Sequence, residues 1–163
     1  MSHEIVNPAE WGRPSGWNSG MLAPEGGRVL FVAGQIGVGG EGGAEAGRGA
    51  AGAGAAGTVL AVQFRAALAN VAAVVEAAGG RIADVGRLTI YVTDMEAYRK
   101  SPAEMGTAYR AVFGKHFPAM ALVAVTELVD PRAVVEVEAT AVIPQARPGG
   151  HSATRPHTAK EQP

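Results

Sequence analysis

Cysteine is absent from the 163 residues, which excludes disulfide bonds and thiolate chemistry. Aromatic residues are sparse at 6%. Neither sign of charge dominates, since 14 Lys and Arg stand against 15 Asp and Glu for a formal net charge of -1. A chain so balanced has no strong field to draw in nucleic acid or an anionic membrane. No uninterrupted run of ~18 apolar residues occurs, so no membrane-spanning helix is expected. Met1–Trp11 lacks the basic stretch followed by an apolar one that marks a secretory leader. The expectation is a cytosolic protein with one domain over residues 1–144.

Glycine, by contrast, is abundant, and much of it falls in Gly37–Gly57, where Gly, Ala and Glu make up almost every position. Such a segment buries too little apolar surface to offset its ordering entropy and reads as a mobile loop. The Pro-, Gly- and polar-rich tail, residues 145–163, reads as disordered. Its His151 and His157 have no other ligand type nearby, so a solvated tail is favoured over a metal site.

The remainder is regular. Arg28–Ala33 alternates as a strand, with Val29, Phe31 and Ala33 on one side and Leu30 and Val32 on the other. The turn signal Glu25-Gly26-Gly27 before it makes residues near Trp17–Leu22 the expected second arm of a hairpin. Thr58–Ala78 reads as a helix, with Leu60, Phe64, Leu68, Val71 and Val75 along one stripe and Gly79-Gly80 at its end. Arg87–Thr93 is rich in strand formers. Ser101, Pro102 and Glu104 form a capping-box pattern that opens a second helix, whose buried stripe is Met105, Ala108, Tyr109 and Val112 before Gly114. Met120–Thr126 and Val134–Val142 read as strands, broken by Asp130-Pro131 and expected to pair as an antiparallel hairpin.

Strand–helix–strand crossovers are right-handed and put both helices on one face of the sheet. Yet Leu30 with Val32, Val123 with Val125, and Leu122 with Ala124 leave both faces of the strands apolar. A sheet apolar on both faces needs cover on both, and no third helix is present to supply it. Self-association through the bare face follows.

Val32-Ala33-Gly34-Gln35-Ile36, the Gln-x-x-x-Ala-Leu-x-Asn run from Gln63 to Asn70, and Ile90-Tyr91-Val92-Thr93-Asp94 resemble, in order, segments of the Rid/YjgF family of reactive intermediate deaminases. So do Glu76-Ala77-Ala78-Gly79 with Asp84-Val85, Phe117-Pro118-Ala119, Leu128-Val129-Asp130-Pro131 and Val135-Glu136-Val137-Glu138-Ala139. The resemblance runs from about Gly16 to Pro144, apart from the Gly/Ala-rich segment. It implies an α+β, chorismate-mutase-like fold, a mixed sheet with two helices on one face, and a homotrimer around a central β-barrel with ligand clefts between subunits. It also implies hydrolysis of imine or enamine intermediates without metal or organic cofactor.

Such chemistry must hold the substrate, position water and stabilise developing charge. By the resemblance, Glu136 positions water, and Trp17, Ala33, Gly34, Tyr91, Phe117, Ala119, Met120 and Leu122 line the cleft. Four departures stand out. Deaminating members carry, after Pro-Ala, an arginine that grips the substrate carboxylate through two parallel hydrogen bonds; this chain has Met120. Ala33 stands where serine is usual, and Gly106 where asparagine is common. Trp17 replaces a tyrosine. Losing such a charge-assisted pair removes roughly 2 to 5 kcal/mol of binding, so short 2-imino acids are not the expected substrates. Glu138 reads as a solvated neighbour of Glu136, Arg87 as a surface or interface charge, and His116 as structural.

Two functions compete: a divergent imine or enamine hydrolase, and a non-catalytic small-molecule-binding trimer. A ribonuclease or translation inhibitor is disfavoured by the lack of a basic patch, of interleaved aromatics and of paired histidines.

Overall fold

A computed structural model describes residues 3–12, 14–38 and 53–145. Most of the Gly/Ala-rich segment and nearly all of the tail, with His151 and His157, lie outside the described residues. Two short strands, β1 (Glu4–Val6) and β2 (Gly20–Leu22), pair antiparallel as a sheet of their own. The main sheet contains β3 (Arg28–Ile36), β4 (Val85–Val92), β5 (Ala119–Ala124) and β6 (Val135–Ile143), in the order β3-β6-β4-β5. Helix α1 (Ala53–Ala77) crosses from β3 to β4. Helices α2 (Met95–Lys100) and α3 (Pro102–Phe113) cross from β4 to β5. The sheet is mixed: β6 runs antiparallel to both its neighbours, and β4 runs parallel to β5.

The expected stripe of α1 is where the core sits. Leu60, Phe64, Leu68, Val71 and Val75 are buried against Leu88, Ile90, Val135 and Val137 of the sheet. Each such side chain, taken from water, contributes ~1.5 to 3 kcal/mol. By length and mean hydropathy alone Gly57–Ala77 could span a bilayer, but this packing makes it the core helix of the domain. Gln63, also buried, donates from Nε2 to the Arg132 carbonyl at 2.9 Å and accepts from the Val134 amide at 2.9 Å. Asn70 donates to the Ile36 carbonyl. The polar residues of the Gln63–Asn70 pattern therefore lash α1 to one end of the β3–β6 pair, where Ile36 lies opposite Glu136.

Four expectations change. Helix α1 reaches back to Ala53 rather than starting at Thr58, because alanine is the strongest helix former and carries the helix into the Gly/Ala-rich segment. The Trp17–Leu22 region does not form a hairpin with β3; Gly20–Leu22 pairs with Glu4–Val6 instead. The last two strands do not pair with each other, because β4 lies between them. Alternate residues of β6, from Val135 to Ala141, are buried, and such a strand gains most at the sheet centre, where both neighbours shield it. Finally, Ser101 makes no side-chain cap hydrogen bond. It is buried beneath Gly57 of α1, where a side chain at position 57 would overlap its hydroxyl. Proline at the first turn of α3 remains as expected. Helix α2, unforeseen, is capped by the Asp94 carboxylate, which accepts from the Ala97 amide at 2.8 Å.

Both main helices lie on one face, as expected. The other face stays open, with Phe31 79% and Val29 56% exposed on β3 and Val123 43% exposed on β5.

Candidate functional site: an aromatic cleft and a separate carboxylate

Alternation along the strands sorts the expected site residues onto the two faces of the sheet. Met120 and Leu122 pair in register with the buried Leu88 and Ile90, so they face the helices. There they join Trp17, Phe117, Phe64, Tyr98 and Tyr109 around a cleft of about 700 Å³. A hollow of that size suits a small molecule. Tyr109 and Phe117 stack, with ring centroids 5.5 Å apart and planes 5° from parallel, and the Tyr109 hydroxyl donates to the His116 carbonyl at 2.6 Å. Burial pushes the Tyr109 hydroxyl well above the ordinary tyrosine range. The floor of the cleft is thus a fixed pair of rings.

Trp17 comes from the chain before β2. Asn18 holds that chain by donating from its side chain to the Phe117 carbonyl and from its amide to the Pro118 carbonyl, and Asn7 brackets it by bonding to Asn18 and Ser19. A neighbouring hollow of about 650 Å³ shares Trp17 and Phe117 and contains His3, Lys115 and His116. The His116 ring bonds the Val85 carbonyl at 2.7 Å, consistent with a structural role. Burial, opposed by a hydrogen bond to Ala83, lowers the His3 pKa.

Glu136 sits elsewhere. It pairs in register with Tyr91, on the open face. Gly34 lies at a register shift between Val32 and Gln35, and a side chain at position 34 would overlap the Glu136 carboxylate. Ala33 is exposed beside this irregularity. Tyr91 has its pKa raised by burial and by the nearby Glu138 carboxylate, with a smaller push from Glu136. Arg87 donates to Thr89 on the same face. Ala119, opposite Arg87 in the register, begins β5 at the rim. The structure therefore brings Trp17, Phe117, Met120 and Leu122 together, and Gly34, Tyr91 and Glu136 together, but puts the sheet between the two groups.

Sequence reading missed part of the cleft. Tyr98, Arg99 and Arg110 also line it, as does Gly106, which the sequence had marked only as a departure from the usual asparagine. Gly106 is inside α3 at an ordinary helical φ, where glycine costs ~0.5 to 1 kcal/mol relative to alanine. The four-residue step from Gly106 to Arg110, which stacks residues on a helix face, was the available signal. Among the described residues no group of His, Cys, Asp and Glu is arranged to hold a metal ion.

Fold and cleft together belong to a known class: the family described as Endoribonuclease L-PSP matches residues 16–143, and the chain is a member of this Rid/YjgF family. A 2-iminobutanoate/2-iminopropanoate deaminase of Escherichia coli K12 is 39% identical over 87 residues, which is 51% of this chain and 63% of that protein. The chain thus matches just under two thirds of that relative's length. A Rid-family protein of unknown function from Yersinia pestis superposes with a TM-score of 0.67 at 28% identity, covering 88% of this chain and 100% of the other. A Mycobacterium tuberculosis member of the YjgF/YER057c/UK114 family superposes at 0.53 with 30% identity, covering 87% and 100%.

Proposed function

We propose that this protein is a cofactor-independent hydrolase of imines, enamines or related reactive small metabolites, working as a cytosolic homotrimer. The observation that carries the reading is Glu136, a carboxylate kept over a side-chain-free Gly34 on an otherwise uncovered sheet face. In the trimer, Glu136, Gly34, Ala33 and Tyr91 of one subunit close the cleft formed by Trp17, Phe117, Ala119, Met120 and Leu122 of the next. Ligand atoms then lie between the aromatic wall and the carboxylate, which no single subunit achieves.

Glu136 accepts a proton from water as the oxygen attacks the imine carbon. The resulting carbinolamine collapses as the nitrogen is protonated, giving a carbonyl compound and ammonia, with one water consumed. The similarity to 2-imino acid deaminases supports the reaction class. Met120 argues against their substrates, since a thioether cannot replace a bidentate cation.

The test compares the full chain with Glu136→Gln while oxidases generate imines in place, ammonia being the readout. Hydrolysis of imines without an adjacent carboxylate should be faster than in the variant, and 2-iminopropanoate should show no such difference. Loss of every difference between protein and variant would remove the hydrolase. The non-catalytic reading, favoured by the apolar Ala33 and Met120, would then hold if metabolites raised the melting temperature and were recovered unchanged.

A further inference from the structure

The cleft that lost its expected cation at position 120 has two others. Arg99 and Arg110 both line it, and no aspartate or glutamate does. Among the described residues the ion pairs involve Arg81, Lys100 and Arg132, not these two. The lining that one subunit supplies therefore has two cations and no carboxylate, in a chain whose net charge is -1.

Arg110 is placed there by a missing side chain. A Cβ at Gly106 would stand 3.0 Å from Nη1 and 3.4 Å from Nη2 of Arg110, and its three nearest neighbours would all be atoms of that guanidinium. The guanidinium thus lies back along α3, over the glycine and against the cleft wall. Backbone conformation does not demand glycine at 106, because its φ is not in the left-handed region. Nor does a backbone packed against it. What the glycine provides is room for a planar cation, the side chain best matched to a carboxylate.

We infer that Arg110, laid into the cleft over Gly106, is a specificity determinant that binds an acidic group on the α3 side of the ligand. This rests on the cleft being the ligand site, and it narrows the ligand class. The ligand has an apolar or aromatic body against Tyr109 and Phe117 and a carboxylate remote from the reacting carbon, unlike a 2-imino acid, whose carboxylate is attached to that carbon. Met120 then packs against the body of the ligand rather than its charge.

Calorimetric titration of the full chain with 3-phenylpropanoate and with its neutral amide tests this without requiring turnover. The acid should bind at least about fivefold more tightly than the amide, as a charge-assisted hydrogen bond at a partly open site implies, and added salt should weaken only the acid. Arg110→Gln should abolish that preference, and Arg99→Gln should reduce it less. Gly106→Ala should also reduce it, while melting at the same temperature or higher, because only the flexible end of Arg110 must move. Equal affinity for acid and amide, absence of acid binding at millimolar concentration, a preference that survives Arg110→Gln or Gly106→Ala, or a larger loss in Arg99→Gln would each overturn the inference. A clear acid preference without ammonia release from any imine would uphold Arg110 and sink the hydrolase instead.

Discussion

Position 120 shows how much chemistry one side chain can withdraw. Met120 keeps the β5 register opposite Leu88, and its thioether packs among aromatic rings, so the fold loses nothing. What is missing is a donor pair for a carboxylate set beside the reacting carbon. Met120→Arg should therefore raise ammonia release from 2-iminopropanoate, generated in place by an amino-acid oxidase, by at least about tenfold, a cautious share of what a bidentate pair contributes. No gain would mean that Ala33 or Trp17 matters as much as the missing arginine. At this scale the sequence was partly legible. Met120 stood out because Pro118-Ala119 marks its place, whereas nothing in the sequence singled out Arg110. Only its coincidence with a glycine one turn earlier separates it from a solvated arginine, and that is visible once the guanidinium has been located.

Among the elements, α3 is tied to the cleft by Tyr109. Its hydroxyl donates to the His116 carbonyl, fixing the turn that leads into Phe117 and β5. In the unfolded chain this tyrosine ionises near pH 10, while in the folded chain burial keeps it protonated to higher pH. The unfolded state therefore releases a proton that the native state retains. The stabilisation is complete below about pH 10 and declines as pH rises beyond it, by at most about 1.4 kcal/mol per pH unit. Urea unfolding between pH 8 and 11 should show this decline, and Tyr109→Phe should flatten it at a cost of ~1 kcal/mol at neutral pH for the lost hydrogen bond. A slope unchanged by the substitution would assign the alkaline sensitivity to another group, Tyr91 being next by position.

The elements also show what periodicity can and cannot reveal. The stripe of α1 and the alternation of β3, β4 and β6 were readable because burial repeats at a fixed period. Partnership was not readable, because β6 pairs with β3 from Ile36↔Glu136 to Arg28↔Ile143, across most of the chain, and neighbouring strands are only the commoner partners. Likewise Ser101 carried a cap signature but is buried under Gly57, a contact made by a distant helix.

For the whole molecule, the proposed assembly turns on the open sheet face. Val29, Phe31 and Val123 are more apolar than a face left in water usually is. Light scattering of the eluting protein should give about three times the 16.6 kDa chain mass. Phe31→Asp should shift it towards the single-chain mass, because a carboxylate buried without a partner costs several kcal/mol. A single-chain mass for the unaltered protein would leave Glu136 and the aromatic cleft permanently on opposite sides of the sheet and end the hydrolase reading.

The position of β6 has one more effect. Of the four strands in the main sheet, the one made last is the one that must fit in between two made earlier. Until Val135–Ile143 has been synthesised, β3 and β4 lack their common partner and expose two unsatisfied edges. Closure of the sheet is therefore postponed until that segment is made, and a nascent chain stalled or clipped ahead of it is a sticky intermediate rather than a smaller version of the domain.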